Sequence, residues 1–310
     1  MKKRLLLPVL ALVLALAGCG GETGPAPAET GTTVVATTYP VYCFTCEVVR
    51  DVPDVTVRLM IDQPVSCLHD YTLSVSDMKA LDGADVLVLN GAGLEDSMQS
   101  ALDAVADTPR IDCSAGVALL HSAEEHDHDG HEGHSDAEAL DPHIWLDPAR
   151  AAQMVRNVAD GLAALDPAHA DTYRANADAD AAAIDARYAE LRAQLDGLGC
   201  RELITFHDGF QYFAAAFDLT ILRAIEEEAG SEASAKEAAE ICALVRDHRL
   251  PALFTEVNGA TATAEMLARE TGVAVHALDL GMSGPTEGAG LDRYLDVLAR
   301  DVAAIREANA

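Results

Sequence analysis

The sequence predicts an α/β protein with two βα lobes, each built on a parallel sheet, joined by one long helix. Short runs of β-branched and aliphatic residues alternate with helical patterns in the first half of the chain, and the same alternation returns near residue 202. Between the two halves lies an alanine-rich stretch without glycine. Alternating strands and helices indicate parallel sheets, because each parallel pair of strands needs a crossover helix.

The first lobe is expected over residues 33–165, with strands at residues 33–38, 55–60, 85–90 and 110–112. The alanine-rich stretch at residues 166–196 predicts a helix about 45 Å long at 1.5 Å per residue, and the connecting segment is assigned to residues 166–197. The second lobe is expected over residues 198–310, with strands at residues 202–205, 219–225, 252–256 and 273–278 and a last helix at residues 291–308.

The pattern of the N-terminal residues predicts an export signal. Lys2, Lys3 and Arg4 precede an apolar run that ends in Leu-Ala-Gly-Cys at Cys19. The run is shorter than the roughly 20 residues of a membrane-spanning helix, and small residues directly before a cysteine resemble the bacterial lipoprotein processing site. We therefore expect a signal peptide at residues 1–18, lipidation of Cys19, a flexible tether at residues 19–32 and an extracytoplasmic, membrane-anchored protein.

Composition narrows the choice of ligands. The formal net charge is −30 at pH 7, which disfavours binding to nucleic acid and attracts cations.

Beside Cys19 the chain has six cysteines, an even number in a compartment that permits disulfides. The sequence does not choose among their pairings. We expect a monomer.

The segment at residues 121–141 fits neither the helical nor the strand period. It is acidic and contains His121, His126, His128, His131 and His134. Histidine-rich tracts bind metal through composition alone. We favour a mobile loop that collects metal weakly over a purely acidic surface loop.

Three further histidines and one aspartate occupy equivalent places. His69, His143, His207 and Asp279 each follow a predicted strand or enter the next helix, and such loops line the ligand crevice of an open α/β sheet. A single loop histidine is usually a hydrogen-bonding residue, but four candidates at equivalent positions indicate convergence. Three imidazoles and one carboxylate suit tetrahedral Zn²⁺. Glu256, at the end of its strand, is the rival carboxylate, and the remaining histidines are assigned structural roles: His169, His248 and His276.

The motifs around these residues resemble a known family. They are His69-Asp-Tyr, the His-rich loop, Asp-Pro-His143-Ile-Trp-Leu-Asp-Pro and His207-Asp-Gly-Phe-Gln-Tyr-Phe. With the lipoprotein start, they look like the zinc- and manganese-binding substrate-binding lipoproteins of ABC importers. The resemblance implies two lobes, a rigid connecting helix, one metal ion in the cleft and an ABC permease as partner. It assigns His69 and His143 to the N-terminal lobe and His207 and Asp279 to the C-terminal lobe.

The chain departs from this family pattern at two places. Leu68 replaces the proline that usually precedes the first histidine, and the residues after Asp279 match only loosely. Cys67 lies two residues before His69 and has two alternative roles, as a soft ligand or as one half of a disulfide with Cys113. We favour the disulfide.

The metal and the activity follow from the same residues. Family members that handle manganese or iron tend to place a carboxylate where this chain has His207, and nitrogen donors favour Zn²⁺ over Mn²⁺. We therefore expect a zinc carrier without enzymatic activity. The alternatives are a manganese- or iron-binding counterpart, a zinc-dependent hydrolase with Glu256 as general base, and a metal-binding adhesin.

Overall fold

A computed structural model describes residues 31–65, 68, 71–121, 140–225, 234–259 and 261–310. The signal peptide, Cys19, most of the tether, Cys67 and His69 lie outside the described residues, as do His126, His128, His131 and His134. Within the described ranges, no helix combines the length and the apolar character that a bilayer crossing requires.

The first half of the chain forms a parallel sheet of four strands. They are β1 (Thr32–Ala36), β2 (Val55–Leu59), β3 (Val86–Leu89) and β4 (Arg110–Asp112), in the order β2-β1-β3-β4. The central strands are fully or almost fully buried at Val34, Val35, Val86 and Leu87, as expected for a parallel sheet covered by helices on both faces.

Helices with clear start signals connect these strands. Pro40 lies in the first turn of the first helix, where its missing N–H costs no hydrogen bond. Ser74 and Asp77 form a reciprocal capping box at the start of the second helix, which satisfies two otherwise unpaired backbone N–H groups. The helices are α1 (Tyr39–Val48), α2 (Val75–Asp82) and α3 (Gln99–Ala104).

A helical hairpin, α4 (Pro148–Leu165) and α5 (Ala170–Gln194), leads from the first sheet to the second. The predicted helix at residues 166–196 is therefore shorter than expected, about 37 Å at 1.5 Å per residue. Its first turn is replaced by a corner, in which the Asp166 carboxylate accepts hydrogen bonds from His169 Nδ1 at 2.7 Å and from the Tyr173 hydroxyl at 3.0 Å. His169 thus has the structural role that the sequence indicates.

The second half repeats the architecture of the first. Its elements are β5 (Glu202–Thr205), α6 (Gln211–Ala216), β6 (Thr220–Ala224), α7 (Ala235–His248), β7 (Ala252–Glu256), α8 (Ala262–Thr271) and β8 (Ala274–Leu278). The strands form a parallel sheet in the order β6-β5-β7-β8, which corresponds to the strand order of the first sheet. Together the two sheets confirm the predicted α/β fold.

The last helix, α9 (Leu291–Ala308), returns to the first half of the chain. The ring of Tyr294 packs edge-on against Phe44 of α1 at a centroid distance of 4.9 Å, and its hydroxyl donates to the Trp145 carbonyl at 2.7 Å. Residues 31–310 consequently form one compact unit. The lobe limits at residues 33–165, 166–197 and 198–310 stay a proposal.

The predicted disulfide between Cys67 and Cys113 stays a prediction, because Cys67 lies outside the described residues. Cys113 has no disulfide partner among the described residues. Its side chain is completely buried in the main hydrophobic core, and burial raises the pKa of this thiol well above its usual range.

Candidate metal site

His143 is held rigidly by the residues around it. Asp141 Oδ1 accepts two hydrogen bonds from His143, one from its backbone N–H and one from ring Nδ1, both at 2.9 Å. Both side chains are buried, with 4% exposure for His143 and 2% for Asp141. Because the carboxylate accepts from Nδ1, we assign the ring proton to Nδ1, so that Nε2 is the ring nitrogen with the lone pair.

Asp141 is itself anchored to both halves of the chain. Its backbone carbonyl accepts from the Tyr212 hydroxyl at 2.9 Å, and that hydroxyl accepts from Leu120 N–H at 2.8 Å. Asn90, at the end of β3, donates to the Pro142 carbonyl at 3.0 Å. The segment that carries His143 therefore has little freedom to move.

The residues after His143 explain the rest of the Asp-Pro-His-Ile-Trp-Leu-Asp-Pro motif. Trp145 is 1% exposed, and its indole N–H donates to the Leu280 carbonyl at 2.7 Å. Asp147 caps α4 by accepting from Ala149 N–H at 2.8 Å, and Pro148 occupies the first helical position. The motif thus combines a candidate ligand, a core anchor and a helix start in eight residues.

His207 comes from the second sheet, two residues beyond the end of β5. The Thr205 hydroxyl donates to the backbone carbonyl of His207 at 3.0 Å, which fixes the turn that begins at His207. Gly209 follows in the same turn, and a Cβ there would lie 2.7 Å from His207 Cδ2 and 3.1 Å from His143 Cδ2. Only a glycine lets this turn approach both imidazoles so closely.

The imidazoles of His143 and His207, which come from different halves of the chain, lie close together. Their Nε2 atoms are 3.5 Å apart, and the ring planes are nearly perpendicular at 87°. Two nitrogens bound to one tetrahedral zinc ion at 2.0–2.1 Å would be separated by about 3.3–3.4 Å. The pair is therefore already close to the spacing that a shared zinc ion requires.

Asp279 follows β8 at the same edge of the second sheet, but its carboxylate has other partners. Oδ1 accepts from Gly281 N–H at 2.8 Å, and Oδ2 accepts from Arg300 Nη2 at 2.9 Å. Within the ranges that the structure covers, no three His, Cys, Asp or Glu side chains are grouped so that they could hold a metal ion. The structure thus brings His143 and His207 together, without Asp279 or Glu256 completing a group of three.

Glu256 ends β7, between the strands that lead to His207 and Asp279. It is 7% exposed. Burial, and secondarily repulsion from Asp279, raise the pKa of Glu256 to about 8. This carboxyl is mostly protonated at neutral pH, so it is a poorer cation ligand there than an ordinary glutamate.

Of the predicted His-rich loop, only the two ends lie in the described residues, and two of the histidines assigned structural roles are described as well. His121 forms an isolated antiparallel bridge with Leu140, which brings the two ends of the His-rich loop together. His248 pairs with Glu202 at 2.9 Å on the surface, and His276 lies within β8. His69 and the other loop histidines belong to the part of the chain that is not described.

Sequence reasoning missed three residues of this site. Asp141 orients His143, and its position two residues before the histidine in the motif was a usable signal. Gly209 stood in the His-Asp-Gly-Phe motif, but only the fold shows what it approaches. Arg300 pairs with Asp279 from a separate helix, and no local pattern could have shown that contact.

Comparisons with known proteins show the family of this chain. The family model described as zinc-uptake complex component A, periplasmic (ZnuA), matches residues 34–308. The high-affinity zinc uptake system protein ZnuA of Bacillus subtilis is 27% identical over 310 residues, which cover 97% of this chain and 96% of that protein. A crystal structure of ZnuA superposes with a TM-score of 0.75 at 28% identity, covering 90% of this chain and 100% of that one.

A longer relative matches equally well. The zinc-binding lipoprotein AdcA of Streptococcus pneumoniae is 30% identical over 318 residues, which cover 99% of this chain and 61% of AdcA. This chain thus spans about three fifths of the length of that relative. Since the family model extends over almost all residues from the first strand to the last helix, the chain belongs to the ZnuA family of zinc-uptake periplasmic components.

Proposed function

We propose that this protein captures Zn²⁺ outside the cytoplasm and delivers it to an ABC importer. The observation that carries the proposal is the pair of Nε2 atoms of His143 and His207, 3.5 Å apart and supplied by different halves of the chain. The names of the relatives, which describe zinc binding and zinc uptake, support the same function. The ion is the cargo of the protein and not a resident cofactor.

The proposed ligand set is His69, His143, His207 and Asp279, with Glu256 as the rival carboxylate. His143 and His207 have the spacing of a tetrahedral zinc site, and His69 is proposed from its motif. Asp279 would have to exchange its present partners for the ion. The pKa of Glu256 near 8 favours Asp279, because a protonated carboxyl must first lose its proton to coordinate.

Zinc is proposed over manganese because of the donors. Imidazole nitrogens suit Zn²⁺, whereas Mn²⁺ prefers carboxylate and water oxygens. Copper and nickel also accept imidazole, and tetrahedral geometry would have to disfavour them. A manganese- or iron-binding counterpart would be expected to place more oxygen ligands at the positions held here by histidines.

The experiment is metal binding to protein purified without added metal. Zinc affinity is measured by competition with a chromophoric chelator, and the only tryptophan of the chain supplies an independent signal. The Trp145 ring lies 5.3 Å from the His143 imidazole, so its fluorescence should change when the ion binds. Zinc should also raise the melting temperature, because a ligand of the native state alone stabilises it. Failure of zinc to bind, or tighter binding of manganese than of zinc, would contradict the proposal.

Attachment to the membrane is tested separately. With Cys19→Ser, the protein expressed in its native host should move from the membrane fraction to the soluble extracytoplasmic fraction. Cys200→Ser serves as the control, since Cys200 is a free, partly exposed cysteine of the folded region. Delivery is tested by uptake of radioactive zinc into cells that carry Cys19→Ser or His143→Ala. Wild-type uptake in cells carrying His143→Ala would contradict the carrier role.

A zinc-dependent hydrolase is less well supported by this site. Such an enzyme needs a general base near the metal-bound water, and Glu256 is the candidate that the sequence offers. In the metal-free protein the pKa of Glu256 is about 8, so only a minor fraction of this carboxyl is in the base form at neutral pH before the ion binds. Hydrolysis of an activated ester by the zinc-loaded protein, lost with Glu256→Gln, would reverse this conclusion. The adhesin alternative stays a prediction.

A further inference from the structure

Asp279 is held by two consecutive residues of α9. Arg300 Nη2 donates to Asp279 Oδ2 at 2.9 Å, and Asp301 Oδ1 accepts from the Asp279 backbone N–H at 2.8 Å. Asp301 is 1% exposed, so the backbone anchor is buried. The side-chain contact is different, because the Arg300 side chain is 64% exposed. The backbone of Asp279 is therefore fixed, while the partner of its carboxylate lies at the surface.

The contact between Asp279 and Arg300 is the exposed part of this arrangement, so the carboxylate can lose that partner while its backbone stays anchored. Asp279 itself is 22% exposed. Its other oxygen accepts only from the nearby Gly281 N–H, at 2.8 Å. Exposed ion pairs contribute little to stability, because water and salt screen them. A cation in the cleft can therefore displace Arg300 at small cost.

We propose that Arg300 competes with the cargo ion for Asp279 and thereby disfavours metals that depend on an oxygen ligand. The inference rests on the proposed function of the site and adds a residue that determines its selectivity. While Asp279 binds Arg300, the cleft offers mainly imidazole nitrogen. Zinc is well served by nitrogen donors, whereas manganese relies more on carboxylate oxygen. The competition consequently weakens manganese binding more than zinc binding.

The expected change in metal affinity follows from the strength of exposed ion pairs. Such pairs alter an equilibrium by up to about 5-fold. With Arg300→Gln, the affinity for Mn²⁺ should rise by about 3- to 5-fold, and the affinity for Zn²⁺ should rise by less than about 2-fold. The quantity that tests the proposal is the ratio of the two affinities, because removal of any positive charge strengthens the binding of all cations.

Arg306→Gln is the matched control. Arg306 lies on the same helix, is exposed and contacts Gln194 and not a carboxylate. This variant should leave the ratio of manganese to zinc affinity unchanged. Arg300→Lys, which keeps the charge, should leave the ratio near its wild-type value. Both affinities are measured by chelator competition, and the melting temperature of each metal-free variant shows whether it is folded.

The decisive measurement is the double variant Arg300→Gln/Asp279→Asn. If Arg300 acts through Asp279, its substitution should no longer change the manganese affinity when Asp279 is already replaced. An equal gain for both metals in Arg300→Gln, or a gain that persists in the Asp279→Asn background, would overturn the proposal. Zinc binding that depends on His143 in the wild type shows separately whether the proposed function holds. A wild-type protein without such binding would overturn the proposed function as well.

Discussion

The two halves of the chain have the same strand order, yet they hold their candidate ligands in different ways. The first half presents His143 at 4% exposure, with its Nδ1 bound by a buried aspartate. The second half presents His207 in a partly exposed turn and Asp279 in a pair with an exposed arginine. Equal topology therefore does not imply equal preorganisation of the site.

The difference indicates that the two halves of the chain contribute different properties to the candidate site. His143 is fixed by hydrogen bonds among buried groups. The Asp279 side can exchange partners at the surface. A fixed nitrogen donor favours a defined geometry, whereas an exchangeable carboxylate adjusts affinity and selectivity. The following substitutions test this division.

The largest effect is expected from His143→Ala. Loss of a partner that merely orients a metal ligand weakens binding by 10- to 100-fold in metal sites generally. Loss of the ligand itself should therefore weaken zinc binding by more than about 100-fold, measured by chelator competition. His248→Ala is the control, since His248 also pairs with a carboxylate but lies on the surface. Equal affinity of the two variants would remove His143 from the ligand set.

The second largest effect is expected from Asp141→Ala, which should weaken zinc binding by about 10- to 100-fold. The substitution leaves the backbone N–H and Nδ1 of His143 without their acceptor, so that the ring is no longer oriented. Asp166→Ala is the matched control, because Asp166 accepts from His169 Nδ1 far along the chain, at the start of α5. If both variants retained wild-type affinity, the fixed geometry of the first half would not matter for binding.

Gly209→Ala should have a smaller effect on binding. The added methyl would lie 2.7 Å from His207 Cδ2 and 2.9 Å from Leu280 Cδ2, and overpacking of this kind costs about 1–3 kcal/mol. We expect the zinc affinity to fall by about 10-fold, as the imidazoles are pushed out of register. At Gly199 an added Cβ meets nothing closer than 3.8 Å, so Gly199→Ala should bind zinc normally. A full-affinity Gly209→Ala variant would show that the histidine spacing adjusts freely.

Glu256→Gln tests the electrostatics of the second half through pH. The pKa of Glu256 is raised to about 8 in the folded protein, above the roughly 4.3 of an unfolded glutamate. The folded state thus holds the proton more tightly, and the stability of the metal-free protein should decline as the pH rises from about 4.3 to about 8. The slope from this group is at most about 1.4 kcal/mol per pH unit.

Glu256→Gln should remove that decline and leave a flatter profile of unfolding free energy against pH, measured by denaturant unfolding. The exposed Glu240 supplies the control substitution, Glu240→Gln, which should keep the wild-type profile. An unchanged profile in Glu256→Gln would mean that this carboxyl is ionised throughout the range.

The smallest effect on tight binding is expected from shortening the His-rich loop. Because His121 and Leu140 are bridged, the two ends of the loop lie together, and deletion of residues 124–136 should leave Asp141 and His143 in place. Tight zinc affinity should stay within about 2-fold of the wild type, while the number of weakly bound zinc ions falls, as expected for a composition-driven collector. Loss of the tight site in equilibrium dialysis would place ligands in the loop.

The sequence predicted the strands well because their signals are local. Five of the eight predicted strands differ from the structure at one or both ends, by at most two residues, as at Thr32–Ala36 and Thr220–Ala224. The start of the connecting helix was placed too early, since Asp166 and His169 form a hydrogen-bonded corner before Ala170. Helix ends depend on such side-chain contacts, which a helical period does not reveal.

By itself, the sequence determined the α/β class and the two repeated halves, and it named the histidines that are candidates to hold a metal ion. These follow from periodicity and from the chemistry of short motifs, which neighbouring residues determine. The tertiary structure decided how those residues meet. It placed the Nε2 atoms of His143 and His207 3.5 Å apart, turned Asp279 toward Arg300 and buried the side chain of Cys113. Each of these outcomes depends on packing between segments far apart in the chain, so no local pattern contains it.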